Sequence, residues 1–335
     1  MFFKFLTVLS FIALSYYGVY ISNIRTVLPQ AFDGNEMTID YHIVVNSIEN
    51  DQQLISAIIN DTFREIDRIY NNWNPNSEVS KINRLKAYEI ISISPELDYF
   101  LHLTERIVKL TEGRFDPTIA PLHEIWKNHL QRGETASQGE IDNILPAVGW
   151  HHLYLKEGKI FKDHSKTSLD LGGIAKGYCV DLLVERIVKA GFNDVLVEWG
   201  GEIRAHGRHS TQRPWNIFVG RLNDIKPQNA IAKITLENQS VATSGDYIQN
   251  WSIKQNGVET IYFHIIDPRT GKPLESTLSS IASATVMAPT CLLADALAKG
   301  AMIHASLPEA REWANELSGQ DSNLKFWLFT REEEM

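Results

Sequence analysis

The stretch LDLGGIAKGYCVDLLVERI, residues 169–187, constrains the fold of this chain more than any other. Thr167–Leu171 reads as a strand, Gly172-Gly173 as a turn, and Ile174 to about Ala190 as a helix stopped by Gly191. Asp194–Trp199 then reads as a second strand, so the unit is a β-α-β crossover, which commits the chain to a sheet covered by helix. Neither G-x-G-x-x-G nor G-x-x-x-x-G-K-[ST] can be laid over the turn, so it is neither familiar nucleotide loop. Adjacent glycines carry no Cβ to block a ligand, and the helix start offers unpaired N–H groups. Lys176 lies in the first helical turn, where the helix dipole disfavours a cation. That placement suits a bound anion. It suits equally well a tight strand-to-helix contact with a solvated lysine.

The rest of the composition narrows what such an anion is. At 335 residues with ordinary apolar and charged fractions, the chain has material for a sizeable core. A formal net charge of −9 and the lack of any basic stripe argue against a nucleic-acid partner. Anionic ligands must therefore be held by local devices: helix N-termini, single lysines or a metal ion.

The N-terminus departs from this soluble composition. Phe5 to Ile21 is an almost unbroken apolar run after a weakly positive start, with Arg25 the next charge. It is slightly short for a membrane span and long for a signal-peptide core, and no small-x-small cleavage site follows. The expectation is an uncleaved signal-anchor ahead of a cleaved signal peptide, either of which sends the remainder outside the cytoplasm. Gln30 to Glu36, polar and containing Gly34, reads as the linker, so residues 1–36 are taken as anchor plus linker. Two cysteines, Cys179 and Cys291, make no disulfide framework; in apolar helical surroundings they read as buried thiols, with one long-range bridge the alternative.

Beyond the linker, Thr38 to Asn46 alternates as a strand. A helix from Asp51 places Ile55, Ile58, Ile59, Thr62, Ile66 and Ile69 on one stripe, and NNWNPNSEVS (71–80) stops it. Ser94-Pro95 opens another helix, with shorter ones expected from Pro121 to about Leu130 and near Glu140 to Val148. HLYLKEGKIFK is a hairpin around Glu157-Gly158. Further strands fall at 215–221, 231–236, 260–266 and 281–287, then helices from Cys291 and near Pro308–Leu317, then a strand at Lys325–Phe329. The fold class expected is α+β: mixed sheets with the β-α-β unit and a helical lobe, about 51–150, inserted into one catalytic unit over 37–335.

Five other stretches could carry chemistry. EGRFDPTIAPL (112–122) contains Asp116-Pro117-Thr118, a turn and helix-start signature that alone means no more than that. VEWGGEIRAHG (197–207) runs a strand into two glycines and a lone Glu202, and VATSGDY (241–247) collects small polar residues at a strand end. FHIIDPRTGKP (263–273) ends a strand in a D-P-x-x-G turn, with His264 one position from a buried face. A lone histidine there is more often a satisfied structural residue than a base. In APTCLLADALAKGAMI (288–303), Asp295 falls in an otherwise apolar helix, where acids are rare unless paired or metal-bound. Lys299 lies four residues on, hence on the same face, so an internal ion pair is the plain alternative.

Taken in order, with NPNSEVSKIN, these stretches resemble the FAD:protein FMN transferases, the ApbE family, from about Met37 to the C-terminus. The resemblance implies a flavin-binding α+β fold that splits the FAD diphosphate. FMN is left ester-linked to a threonine or serine of another protein, and AMP is released. It implies that Met37, Trp73, Arg114, Phe115 and Asp116 touch the flavin half, and that Asp170, Lys176 and Ile266 line the nucleotide. The Gly173 carbonyl and the Asp295 carboxylate would hold Mg²⁺, and His264 would be the base near the acceptor hydroxyl. The implied partner is a membrane electron-transfer subunit on the periplasmic side of the inner membrane. Two readings stand beside it: an FAD hydrolase giving FMN and AMP, and a non-catalytic FAD carrier. The chain departs from the family in having no lipid-carrying cysteine near its start. It also has Lys299 where many relatives have a metal-ligating threonine, so that Lys299 either pairs with Asp295 or meets the phosphates, weakening or replacing the metal.

Overall fold

The structure, a computed structural model, describes residues 27–220, 228, 230–246, 250–255 and 257–334. The apolar run Phe5 to Ile21 lies outside the described residues, among which no helix is long and apolar enough to cross a membrane. The described residues open with a hairpin of β1 (Leu28–Glu36) and β2 (Ile39–Ser47). Helices α1 (Gln52–Ile69) and α2 (Glu78–Asn83), strand β3 (Ile91–Ser92), and helices α3 (Pro95–Leu110), α4 (Ala120–Leu130) and α5 (Gln138–Ile144) follow. Next come β4 (Leu153–Lys156), β5 (Lys159–Lys162), α6 (Ala175–Lys189), β6 (Val195–Trp199) and β7 (Glu202–His206). Strands β8 (Trp215–Val219), β9 (Ala232–Leu236), β10 (Ser240–Gly245), β11 (Asn250–Gln255), β12 (Val258–Asp267), β13 (Lys272–Glu275) and β14 (Ile281–Ala288) lead to α7 (Cys291–Met302). Helix α8 (Leu307–Gln320) and β15 (Lys325–Thr330) complete the frame.

One seven-stranded sheet, ordered β1-β2-β6-β7-β10-β14-β15, organises the molecule, and each of its pairings is antiparallel. Strand periodicity divides its residues between two faces. Val195 and Val197 of β6 join Ile43, Val45 and the apolar stripes of α1, α3 and α6 in one core. Leu196 faces the other way, with Ala205, Val241 and Met287, and packs under the β8–β9 hairpin. Further along, α7 and α8 cover β14 and β15 through Ala284, Val286 and Leu328. Helices α1 to α3 thus share a core with the sheet and α6, while α4 and α5 pack on Ile253 and Ile266 of the β11–β12 ribbon.

Two sequence expectations are corrected here. Gln30–Glu36 is no linker: it lies in β1, paired residue for residue with β2. An edge strand facing solvent needs only backbone pairing, so its polar composition did not betray it. The β-α-β crossover is also absent, because 167–171 is not a strand of any sheet and makes a single parallel bridge, Ser168 to Ile119. Leu169 and Leu171 are fully buried, which produces the strand-like alternation. The backbone is instead held by side chains: Asn83 donates to the Leu169 carbonyl at 2.8 Å and accepts its N–H at 2.7 Å. The Asp170 N–H donates to the Pro117 carbonyl at 2.7 Å. Lys162, itself buried, donates to the Thr167 and Asn83 carbonyls at 2.6 and 2.9 Å. Cys179 and Cys291 are both free and buried, and burial pushes both thiols well up, so the reading as buried thiols holds.

Candidate active site

A cavity of about 1040 Å³ opens where the start of α6, the 114–123 turn, β12 and α7 meet. That is at or above the size of pockets that take a drug-sized ligand, roughly 300–1,000 Å³. Its wall includes Trp73, Arg114, Phe115, Asp116, Asp170, Gly173, Lys176, His264 and Ile266, all anticipated from the sequence and contributed by four separate stretches. Met37 does not line it. That residue packs against the main core from a two-residue β1–β2 turn, and its neighbour Thr38 reaches the cavity instead. Both turn residues have positive φ, 50° and 67°, the twist that a two-residue hairpin loop requires.

Asp116 shapes the wall rather than offering its charge. Its Oδ1 accepts from the Thr118 N–H and hydroxyl at 2.9 and 2.7 Å, and its Oδ2 accepts from the Trp150 N–H at 2.8 Å. Burial nonetheless raises its carboxyl above the usual range, against those hydrogen bonds. Trp73 is exposed, with the Lys127 ammonium 4.6 Å from its ring centre, so a flat apolar face stands at the rim.

Asp170 has a partner that the sequence did not suggest. Its Oδ1 accepts the Gly172 N–H at 2.9 Å, and its Oδ2 lies 2.8 Å from His123 Nδ1. Burial works to raise this carboxyl, but the His123 bond, the Gly172 N–H and the Lys299 charge outweigh it and hold it low. His123 looks in sequence like any polar residue of a short helix. Only its position against Asp170, 47 residues away, marks it.

Beneath the glycine turn lies a four-charge cluster. Lys176 Nζ sits 2.5 Å from Glu202 Oε2, and Lys299 Nζ hydrogen-bonds Asp295 Oδ1. Both carboxylates are almost wholly buried, Glu202 at 1% exposure and Asp295 at 0%. Burial, then the neighbouring Asp295, raises the Glu202 carboxyl, while Lys176 and Lys299 pull it back. Burial would lower Lys176, but Glu202 and Asp295 reverse that and hold its ammonium charged. Gly173 stands over the cluster: a Cβ there would fall 3.0 Å from Lys299 Cδ and 3.1 Å from Phe115 Cε2. Asp295, Lys299 and the glycine turn are therefore neighbours, with the lysine stem between turn and carboxylate. Glu202 looked like a lone acid in the sequence, because its partner Lys176 comes from another element.

This donor set does not fit a divalent metal. Asp295 Oδ2 accepts the Gly177 N–H at 3.1 Å and its Oδ1 is taken by an ammonium, which has no lone pair to offer a cation. Among the described residues, no group of three or more His, Cys, Asp or Glu is arranged to hold a metal. Mg²⁺ asks for about six oxygen ligands.

Comparison with known proteins agrees with the architecture. A model described as the ApbE family matches residues 37–323. The FAD:protein FMN transferase of Chlamydia pneumoniae is 39% identical over 288 residues, spanning 85% of this chain and 88% of that protein. The protein of the same name from Vibrio cholerae is 31% identical over 255 residues, 76% of this chain and 74% of that one. In three dimensions, the crystal structure of the ApbE protein from Thermotoga maritima superposes with a TM-score of 0.77 at 25% identity, covering 92% of this chain and all of that one. With its glycine turn, FDPT turn and α7 lysine in one cavity and that match over most of its length, the chain belongs to the ApbE family.

Proposed function

We propose that the cavity binds FAD and that the protein transfers FMN from it to a threonine or serine hydroxyl of an acceptor protein, releasing AMP. The observation that carries this reading is the convergence of the glycine turn, two lysines and His264 on one cavity with an aromatic rim. In this reading Trp73, Arg114 and Phe115 face the flavin half, and Asp170 and Ile266 face the nucleotide. Lys176 and Lys299 meet the diphosphate oxygens. The acceptor oxygen forms a bond to the FMN phosphorus while the bond from that phosphorus to the bridging oxygen breaks and AMP leaves. His264 takes the hydroxyl proton, and charge building on the phosphate oxygens is held by the lysines. The Mg²⁺ on Gly173 and Asp295 that the family resemblance implies has no part in these steps, because Lys299 already holds Asp295.

The apolar run Phe5 to Ile21 supports a tether to the membrane, which places the domain on the extracytoplasmic side beside membrane electron-transfer acceptors. Fractionation of cells expressing the full chain checks this: the protein should stay with membranes after a high-salt wash.

The test of the reaction is incubation with FAD and the protein acceptor of the Vibrio cholerae enzyme. Covalent flavin fluorescence on the denatured acceptor, with AMP released in equal amount, is the expected result. Free FMN without labelled acceptor would instead make water the nucleophile, and unchanged FAD would make the protein a carrier. His264→Ala should lower labelling by about 10²–10⁴-fold with FAD affinity unchanged. Parent-like transfer by that variant removes His264 from the mechanism.

A further inference from the structure

The four charges under the glycine turn are ordered by depth. Asp295 lies behind the cavity wall, and Glu202 reaches that wall with only 2% of its side chain exposed, while the Lys176 and Lys299 side chains keep 24% and 22% of their surface and line the cavity. A ligand in the cavity therefore meets chiefly the ammonium groups. Each ammonium has three donors. Lys299 directs one at Asp295; Lys176 directs one at Glu202 and lies 3.5 Å from the Gly200 carbonyl. Donors remain on both for the oxygens of an anion. The acids fix the two lysines, which are otherwise flexible point charges.

The spacing also bears on what else can sit there. Asp295 and Lys299 are four residues apart on one helix, which puts the ammonium within reach of the carboxylate. A divalent ion at Asp295 would lie against that positive charge and would have to break the ion pair to gain an oxygen. Asp295 is wholly buried, and each of its oxygens already accepts a hydrogen bond.

We infer that Lys299, together with Lys176, neutralises the diphosphate in the role a divalent cation would fill, so that this protein binds FAD and turns it over without one. The inference rests on the FAD reading of the cavity and assigns Lys299 to direct phosphate contact.

The experiment titrates FAD into the full-length protein, following flavin fluorescence, in excess EDTA and in millimolar MgCl₂, with acceptor labelling read from the same samples. The parent should bind FAD within about threefold equally in both and label the acceptor in EDTA. Lys299→Met should weaken FAD binding about tenfold or more in EDTA. Because that change strands a buried carboxylate, the double variant Asp295→Asn/Lys299→Met, which removes both charges, should show the same loss in a protein of unimpaired thermal unfolding. Lys299→Thr should make binding depend on Mg²⁺. A parent that binds FAD or labels acceptor only with Mg²⁺ overturns the inference and leaves the transferase reading standing. So does parent-like affinity of both methionine variants in EDTA. Metal-independent FAD binding with no labelled acceptor in either condition supports the lysine assignment and sinks the transfer step instead. Absence of FAD binding in both conditions defeats both.

Discussion

At the residue scale, the site depends on one missing methyl group. Gly173 has no positive φ, so its backbone tolerates a side chain, and what it lacks is room. A Cβ would press on Lys299 Cδ at 3.0 Å, and a lysine stem yields by moving. Gly173→Ala should therefore leave stability nearly unchanged while shifting the Lys299 ammonium, weakening FAD binding about tenfold, or about 1.4 kcal/mol. Fluorescence titration beside a thermal melt checks it; unaltered affinity would show that the turn stands clear of the ligand. Asp116 teaches the converse lesson. A conspicuous acid in a recognisable turn has both oxygens bonded to backbone and hydroxyl donors, and it serves the site by fixing the Thr118 and Trp150 backbones.

At the element scale, what assembles the charge cluster is the contact of α6 with α7. Gly177 makes it possible: a Cβ there would lie 2.4 Å from the Cys291 carbonyl oxygen and 2.9 Å from Asp295 Cβ. Backbone cannot step aside as a lysine can. Gly177→Ala should cost about 1–3 kcal/mol in urea unfolding, despite the higher helix propensity of alanine, and should disturb the site by parting the helices. A neutral or stabilising result would mean that the two helices part without strain. One turn along α6, Asp181 accepts the Cys291 and Leu292 N–H groups at 2.8 and 2.9 Å, clamping the start of α7, while Arg204 of β7 holds its Oδ1 at 2.7 Å. The helices themselves were legible. The Ile55-to-Ile69 stripe buries as its period requires, and Ser94 caps α3 by accepting the Leu97 N–H. Strands β10, β11 and β13 were not read as full strands: β10 takes its partners from β7 and β14, far along the chain, while β11 and β13 are short arms on either side of β12.

At the scale of the whole molecule, the clamp predicts a pH dependence. Burial raises the Asp181 carboxyl from its ordinary 3.8 to about 6, against Arg204 and the two N–H groups. The folded state thus binds a proton more tightly than the unfolded chain between those values. The contribution of this group is complete below 3.8 and is lost as pH rises through about 6. It amounts to at most about 3 kcal/mol. Comparing urea midpoints of the parent and Asp181→Asn across that window isolates it: the parent should show the steeper fall with rising pH, and parallel profiles would exclude the clamp as the source.

Local chemistry is written in the sequence. The helical periods, the Ser94-Pro95 cap, the glycine turn, the Asp295–Lys299 spacing and the cavity-facing turn at Asp116 follow from steric and hydrogen-bonding rules that act over a few residues. The extended run 167–171 shows where such rules stop. Its alternation is that of a strand, yet its hydrogen bonds go to Asn83, Pro117 and Lys162, because burial pattern reports which side chains are covered and not what pairs with the backbone. Pairing Asp170 with His123 and Lys176 with Glu202, and setting both beside Lys299, was decided by tertiary structure alone. Charges many residues apart in the chain acquire a common ligand only when the packing of α6 on α7 and the sheet order bring them within a few ångströms.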